Sequence, residues 1–117
     1  MAIIRITDLT LKTIIGTNDW ERKVKQKVVI NIDIELDVSK AAKSDKIQDT
    51  LDYKALTKKI IKRVEASKYY LLEKLSSEVL KIVMEDRRVK AASVRVDKPL
   101  ALRFTKSVSI EVKDKRK

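Results

Sequence analysis

The 117 residues contain no cysteine and no histidine, and only one glycine and one proline. Without cysteine there is no disulfide framework, no thiolate nucleophile and no cysteine-based zinc site. Without histidine there is no imidazole base and no Ser-His-Asp triad. Acid–base chemistry is left to Asp, Glu, Lys, Tyr, Ser or Thr. Carboxylates alone can hold Mg²⁺ or Ca²⁺, but no EF-hand loop or comparable ligand spacing occurs. One Trp, three Tyr and one Phe are too few for a base-stacking platform. No stretch is long and apolar enough to cross a bilayer. The opening MAIIRITDLTLK mixes polar with apolar residues and lacks the pattern of a cleavable signal. A cytoplasmic protein is the expectation.

What is present is charge and aliphatic bulk. Charged residues make up 38% and hydrophobic residues 44%, enough for one folded domain spanning 1–117. Lys and Arg outnumber Asp and Glu by 28 to 17, for a formal charge of +11. Such a balance suits polyanions or phosphate-bearing ligands. Apart from a KDKRK tail, the positive charges are spread along the chain, as on a lysine-rich solvated surface. A basic nucleic-acid-binding module is therefore the remote alternative, opposed by the missing recognition motif.

Periodicity divides the chain. Residues 2–13 alternate, with Ile4 and Ile6 on one face, then Leu9 and Leu11, and a phase slip at Thr7-Asp8 that predicts a bulged strand. IIGTNDWERKVKQ, residues 14–26, reads as a loop. Residues 27–37 set Val28, Ile30, Ile32, Ile34 and Leu36 against Asn31, Asp33, Glu35 and Asp37, a half-buried antiparallel strand. Residues 38–50 form a polar connection with room for one helical turn. A helical stripe follows at Tyr53, Leu56, Ile60, Ile61 and Val64, with Asp49, Thr50 or Asp52 available as cap. After EASKYY a second helix carries Leu72, Leu75, Val79, Ile82 and Val83 on one face. Its first turn holds Glu73, where a carboxylate complements the helix dipole. Period two returns at 90–98, with Val94 and Val96 inward, and at 106–113, with Val108, Ile110 and Val112 inward. The order β-β-α-α-β-β predicts an α+β fold, a four-stranded antiparallel sheet with two helices on one face. Its free edges predict a homo-oligomer.

Four side chains stand at element ends or in a loop, where active sites concentrate. They are Glu21 in DWERKVKQ, Tyr53 in DTLDYKAL, Glu73 in YYLLEKL and Lys98 in VDKPLALRF. Singly, each has an ordinary reading: a loop charge, a core-rim aromatic, a dipole partner, one lysine among many. Lys98 is distinguished by a strand behind it and the φ-restricted Pro99 ahead, which suit a positioned acid.

The segments IGTNDWERKVKQ, KAAKSDKIQDTLDYKAL, VEASKYYLLEKL and VDKPLALRFTKSVSIEV, in this order and spacing, resemble the dihydroneopterin aldolase family, which includes dihydroneopterin triphosphate 2'-epimerase. The resemblance spans roughly residues 3–113 and implies the tunnelling fold. It implies retro-aldol cleavage of the C1′–C2′ bond of 7,8-dihydroneopterin, giving 6-hydroxymethyl-7,8-dihydropterin and glycolaldehyde in folate synthesis. It implies no metal, cofactor or lysine Schiff base, the dihydropterin C6=N5 imine serving as electron sink. By the same resemblance Lys98 helps protonate N5, Tyr53 relays protons at the 2′-hydroxyl and the enol, and Glu21 binds the substrate side chain. Glu73 grips the amino-pyrimidinone edge and Leu72 offers backbone contacts. The assembly it implies is an octamer of two stacked tetrameric rings with sites between subunits, Tyr53 coming from a different chain than Lys98 and Glu73. DWE and KAAKSD resemble the aldolase branch, and DKPLALRFTKSVS the epimerase branch. Arg103 and the many lysines would suit a triphosphate. The main expectation is the aldolase, with the epimerase as alternative. Cyclohydrolase and pyruvoyl-pterin synthase relatives require zinc held by His or Cys, which this sequence lacks.

Overall fold

The computed structural model describes residues 1–117. Strands β1 (Ala2–Thr13), β2 (Gln26–Leu36), β3 (Val89–Pro99) and β4 (Ser107–Lys115) form one antiparallel sheet in the order β1-β2-β3-β4. Helices α1 (Ser39–Ser44), α2 (Tyr53–Glu65) and α3 (Leu72–Met84) join β2 to β3, and 3₁₀ turns occur at Asp19–Arg22 and Ile47–Asp49. The α+β expectation holds. The connection after β2 is more structured than predicted, since it contains both α1 and a 3₁₀ turn.

The sheet is specified by alternation. Val28, Ile30, Ile32, Ile34 and Leu36 are all fully buried on the helix side of β2. Each such side chain contributes roughly 1.5–3 kcal/mol of gross burial energy. The predicted bulge in β1 is present: the register runs from Ala2↔Leu36 to Ile6↔Ile32 and resumes at Leu9↔Ile30. Asp8 takes a positive φ of 55°. Its N–H donates to Asn31 Oδ1 at 2.9 Å, and Asn31 Nδ2 donates to Asp8 Oδ1 at 3.2 Å. The bulge resets the phase, so that Ile4, Ile6, Leu9 and Leu11 all meet the core.

Both long helices cover one face, α2 near β1 and α3 across β3 and β4. They run antiparallel, as Lys59–Glu85 at 3.2 Å and Arg63–Glu78 at 3.7 Å show. Of the predicted α2 stripe, Leu56, Ile60 and Val64 are buried. Tyr53 is not part of the core: it is 57% exposed. It occupies the first helical position, where the Cα–Cβ bond leans toward the N-terminus and away from the next turn. Asp52 is the cap, its Oδ1 accepting from Ala55 N–H at 3.1 Å.

This topology gives the molecule two ends. At one end lie the loop after β1, the C-terminus of β3, the C-terminus of α2 and the N-terminus of α3. Buried Thr13 marks it, donating from Oγ1 to Val64 O at 2.7 Å. At the other end lie the start of α2, the end of α3 and the Leu36↔Val89 pair. Replacing Asp52 with Ala should lower unfolding free energy by about 1 kcal/mol, through loss of the cap. Urea denaturation checks this, and an unchanged midpoint would mean that the cap contributes nothing to α2.

Candidate active site

Along β3 the inward face reads Ala92, Val94 and Val96, all buried. Two residues further, the same alternation puts Lys98 on that face, paired in register with Val108. The apolar face of β3 therefore ends in an ammonium group. Pro99 follows, and the chain turns away through Leu100 at φ 60°. Strand pairing on one side and the turn on the other leave the Lys98 backbone little freedom.

The charge that meets it is Glu21, in the 3₁₀ turn Asp19–Arg22 and only 5% exposed. Oε1 accepts from Asn18 N–H at 3.1 Å and Asn18 Nδ2 at 2.8 Å. Oε2 accepts from Gln26 Nε2 at 3.0 Å and pairs with Lys98 Nζ. Gln26 Nε2 also donates to Ile15 O at 2.6 Å, fixing the amide that faces the carboxylate. The protein's one glycine makes the remaining wall. Gly16 lies at φ +126°, and a Cβ there would fall 2.2 Å from Glu21 Cδ. A side chain at position 16 and a buried carboxylate at position 21 exclude one another.

Burial alone would raise the Glu21 pKa. The bonds from Lys98, Gln26 and Asn18, with the Lys98 charge, outweigh burial and lower it to about 2. At neutral pH Glu21 is an ionised acceptor and countercharge, and a poor proton acceptor. Lys98 Nζ donates the hydrogen bond of the pair.

Glu73 lies in the first turn of α3, exposed, at the same end of the molecule. Ser76 Oγ donates to its carbonyl at 3.1 Å. Leu72 beside it packs against the core. Tyr53 stands apart. It starts α2 at the far end, and twelve residues at roughly 1.5 Å each put it about 18 Å from the helix end that meets Thr13. One chain thus brings Glu21 and Lys98 into contact and sets Glu73 and Leu72 at the same end, without Tyr53. Sequence reading missed Gly16, Asn18 and Gln26. The Asn-x-x-Glu spacing of a capping box, two residues after the lone glycine, was the available signal.

A sequence model of the dihydroneopterin aldolase family matches residues 4–113. The chain belongs to that family. It is 46% identical over 110 residues to dihydroneopterin triphosphate 2'-epimerase of Pseudomonas aeruginosa, covering 94% of this chain and 89% of that one. It is 31% identical to dihydroneopterin aldolase of Escherichia coli, covering 94% and 90%. The structure of E. coli dihydroneopterin aldolase in complex with neopterin superposes with a TM-score of 0.92 at 30% identity, covering 97% of this chain and 99% of that one. The sheet and helices of this family member are those of the tunnelling fold.

The Glu21 pKa lies below its ordinary value near 4.5. The ionised form therefore stabilises the folded chain fully above about pH 4.5, and this contribution fades as pH falls toward 2. Urea midpoints of the native protein and Glu21→Gln, compared from pH 7 to pH 2.5, should converge below pH 4.5. A gap that stays constant across that range would rule out the ion pair as its source.

Proposed function

We propose that the chain is a dihydroneopterin aldolase, with Lys98, Tyr53 and Glu21 acting in catalysis and Glu73 and Leu72 in substrate binding. The observation that carries this reading is the buried Lys98–Glu21 pair at the end of β3, in a chain whose family match covers 4–113. The reaction needs a proton donor at N5 and no metal. As the C1′–C2′ bond breaks, the 2′-hydroxyl loses its proton and becomes the carbonyl of glycolaldehyde. The electron pair moves through C1′ and C6 to N5, which Lys98 protonates directly or through water. Protonation at C1′ and loss of the N5 proton then give 6-hydroxymethyl-7,8-dihydropterin. Glu21 keeps the ammonium in place and accepts a hydrogen bond from the substrate side chain. Glu73, a carboxylate with both oxygens free for N–H donors, suits the amino-pyrimidinone edge.

Tyr53 serves a neighbour's site. The edges of β1 and β4 are unpaired within the chain, so head-to-tail pairing of β4 with a neighbour's β1 closes a ring and removes both edges. Strands in a closed barrel are staggered. A neighbour displaced along the strands by about the length of α2 brings its Tyr53 level with Lys98. Two stacked rings of four make the octamer. The cytoplasm is the compartment we assign, and no helix of the chain is long and apolar enough to cross a membrane.

A second reading is favoured by the 46% identity to a triphosphate epimerase. The same cleavage would be followed by re-addition of the aldehyde to the other face, inverting C2′. Incubation with 7,8-dihydroneopterin and, separately, its triphosphate distinguishes them: hydroxymethyl-dihydropterin marks the aldolase, a C2′ epimer of the triphosphate the epimerase. Turnover of neither would overturn both.

Lys98→Ala should lower kcat by roughly 10²–10⁴, the span of a positioned proton donor, while pterin binding persists. Tyr53→Phe should also be impaired. Co-refolding the two variants should restore about a quarter of the sites, because each site then draws Lys98 and Tyr53 from different chains. A mixture no more active than its components would place both residues in one chain's site. Glu73→Ala should weaken pterin binding roughly tenfold or more, the loss expected for hydrogen bonds to a charged acceptor. An unchanged Kd would remove Glu73 from the site.

A further inference from the structure

The candidate site has two halves on separate segments: Glu21 with Lys98, and Leu72 with Glu73. Arg22 spans them. It follows Glu21 in the 3₁₀ turn, is half-buried, and pairs with no carboxylate. Its guanidinium is instead spent on backbone. NH1 donates to Gly16 O at 2.9 Å and to Tyr69 O at 3.0 Å, and NH2 donates to Lys68 O. The Tyr70 ring lies against it, 3.9 Å from Cζ to the centroid. One planar cation therefore holds the carbonyl of the glycine behind the Glu21 carboxylate and two carbonyls of the α2–α3 connection.

Thr13 Oγ1 holds the start of that connection, donating to Ser67 O at 3.0 Å, and Arg22 makes the side-chain hydrogen bonds to the stretch beyond it. The residue at the N-cap of α3 is Leu71, which has no side-chain acceptor, and no side-chain cap bond is made. The first turn of α3, with Glu73 in it, is therefore not fixed by its own cap. Arg22 grips the chain two and three residues before Leu71. Glu21 has its own supports in Asn18, Gln26, Gly16 and Lys98 and does not need Arg22 to stay in place.

We propose that Arg22 is a positioning residue that sets the distance between the Lys98–Glu21 pair and Glu73 by tying the Glu21 turn to the segment leading into α3. The proposal rests on the reading of Glu73 as the pterin-gripping carboxylate. Losing the tie frees Glu73 and leaves the proton donor intact, so it acts on binding more than on turnover. Lysine is no substitute: a point charge reaches one carbonyl, lacks the planar fork and does not stack on Tyr70 in the same way.

The test is to titrate native protein, Arg22→Lys and Arg22→Ala with 7,8-dihydroneopterin, and to measure kcat at saturation. Hydrogen exchange at residues 69–75 is followed on the same samples. The expected result is a Kd raised about tenfold in Arg22→Ala, equivalent to about 1.4 kcal/mol. Arg22→Lys should fall between, kcat should change less than threefold, and exchange should quicken at 69–75 but not in β2. If Arg22→Ala does not fold, Arg22→Lys carries the same criterion. A lower melting temperature with unchanged Kd and unchanged exchange at 69–75 would overturn the proposal and leave Arg22 merely structural. Failure of the native protein to bind the pterin would overturn the function reading and this inference with it.

Discussion

A single buried ion pair, Glu21 with Lys98, organises one end of this protein. It joins residues 77 apart in sequence. Both side chains are largely removed from water, so each carries a desolvation penalty that mutual attraction alone does not offset. The surroundings supply the rest: Asn18 and Gln26 donate further hydrogen bonds to the carboxylate, and Gly16 vacates the space it occupies. A hydrophobic pair of similar volume would hold the fold together as well or better. That the chain puts charge there, with three further residues committed to it, fits the proposed role of Lys98 as a proton donor held in one geometry. It makes little sense as a stability device.

The strands, the bulge and the two long helices were legible because each follows from a period. Alternation in β2 admits one register, and the phase slip at Thr7-Asp8 has one physical remedy, an extra residue. Lys98 was legible as a strand-end lysine held before Pro99, and the structure adds that it continues the inward apolar face of β3. The set around Glu21 was not legible as a set. Gln26 reaches back across the loop, and the meaning of Gly16 depends on a carboxylate five residues later folding against it. Neither is a matter of local propensity. Tyr53 was misplaced for a related reason. The 3.6-residue period that links it to Leu56 and Ile60 is real, but a period says nothing of where the core stops. The helix begins one turn before it meets other side chains.

The candidate residues divide between the two ends of the molecule, and so does the unsatisfied surface. Tyr53 is exposed at one end, and Leu100, Leu102 and Phe104 are exposed at the tip of the β3–β4 hairpin, Phe104 at 99%. Leu100 and Phe104 also adopt positive φ, which costs a side-chain-bearing residue energy that a glycine would avoid. Apolar groups held in strained backbone and left in water are poor chemistry for an isolated chain. They are reasonable in the proposed assembly, where copies of the chain would cover its sheet edges, hairpin tip and α2 terminus.

Charge bears on substrate choice less than its size suggests. A net +11 attracts any polyphosphate, yet exposed charges farther than about 8 Å from a ligand are largely screened at physiological salt. The lysines of α2 and α3 therefore affect how often an anionic pterin arrives, and scarcely how well it is told from an uncharged one. Discrimination has to come from groups beside the site. Arg103 and Lys106 are the cations of the hairpin that follows Lys98. Arg103 stacks over Phe104, with Cζ 5.4 Å from the ring centroid. That ring is nearly fully exposed in the single chain, so nothing else within the chain holds Arg103 in one direction. In the proposed ring a neighbour packed against the hairpin would fix it, and a preference for a phosphorylated side chain would then belong to the assembly.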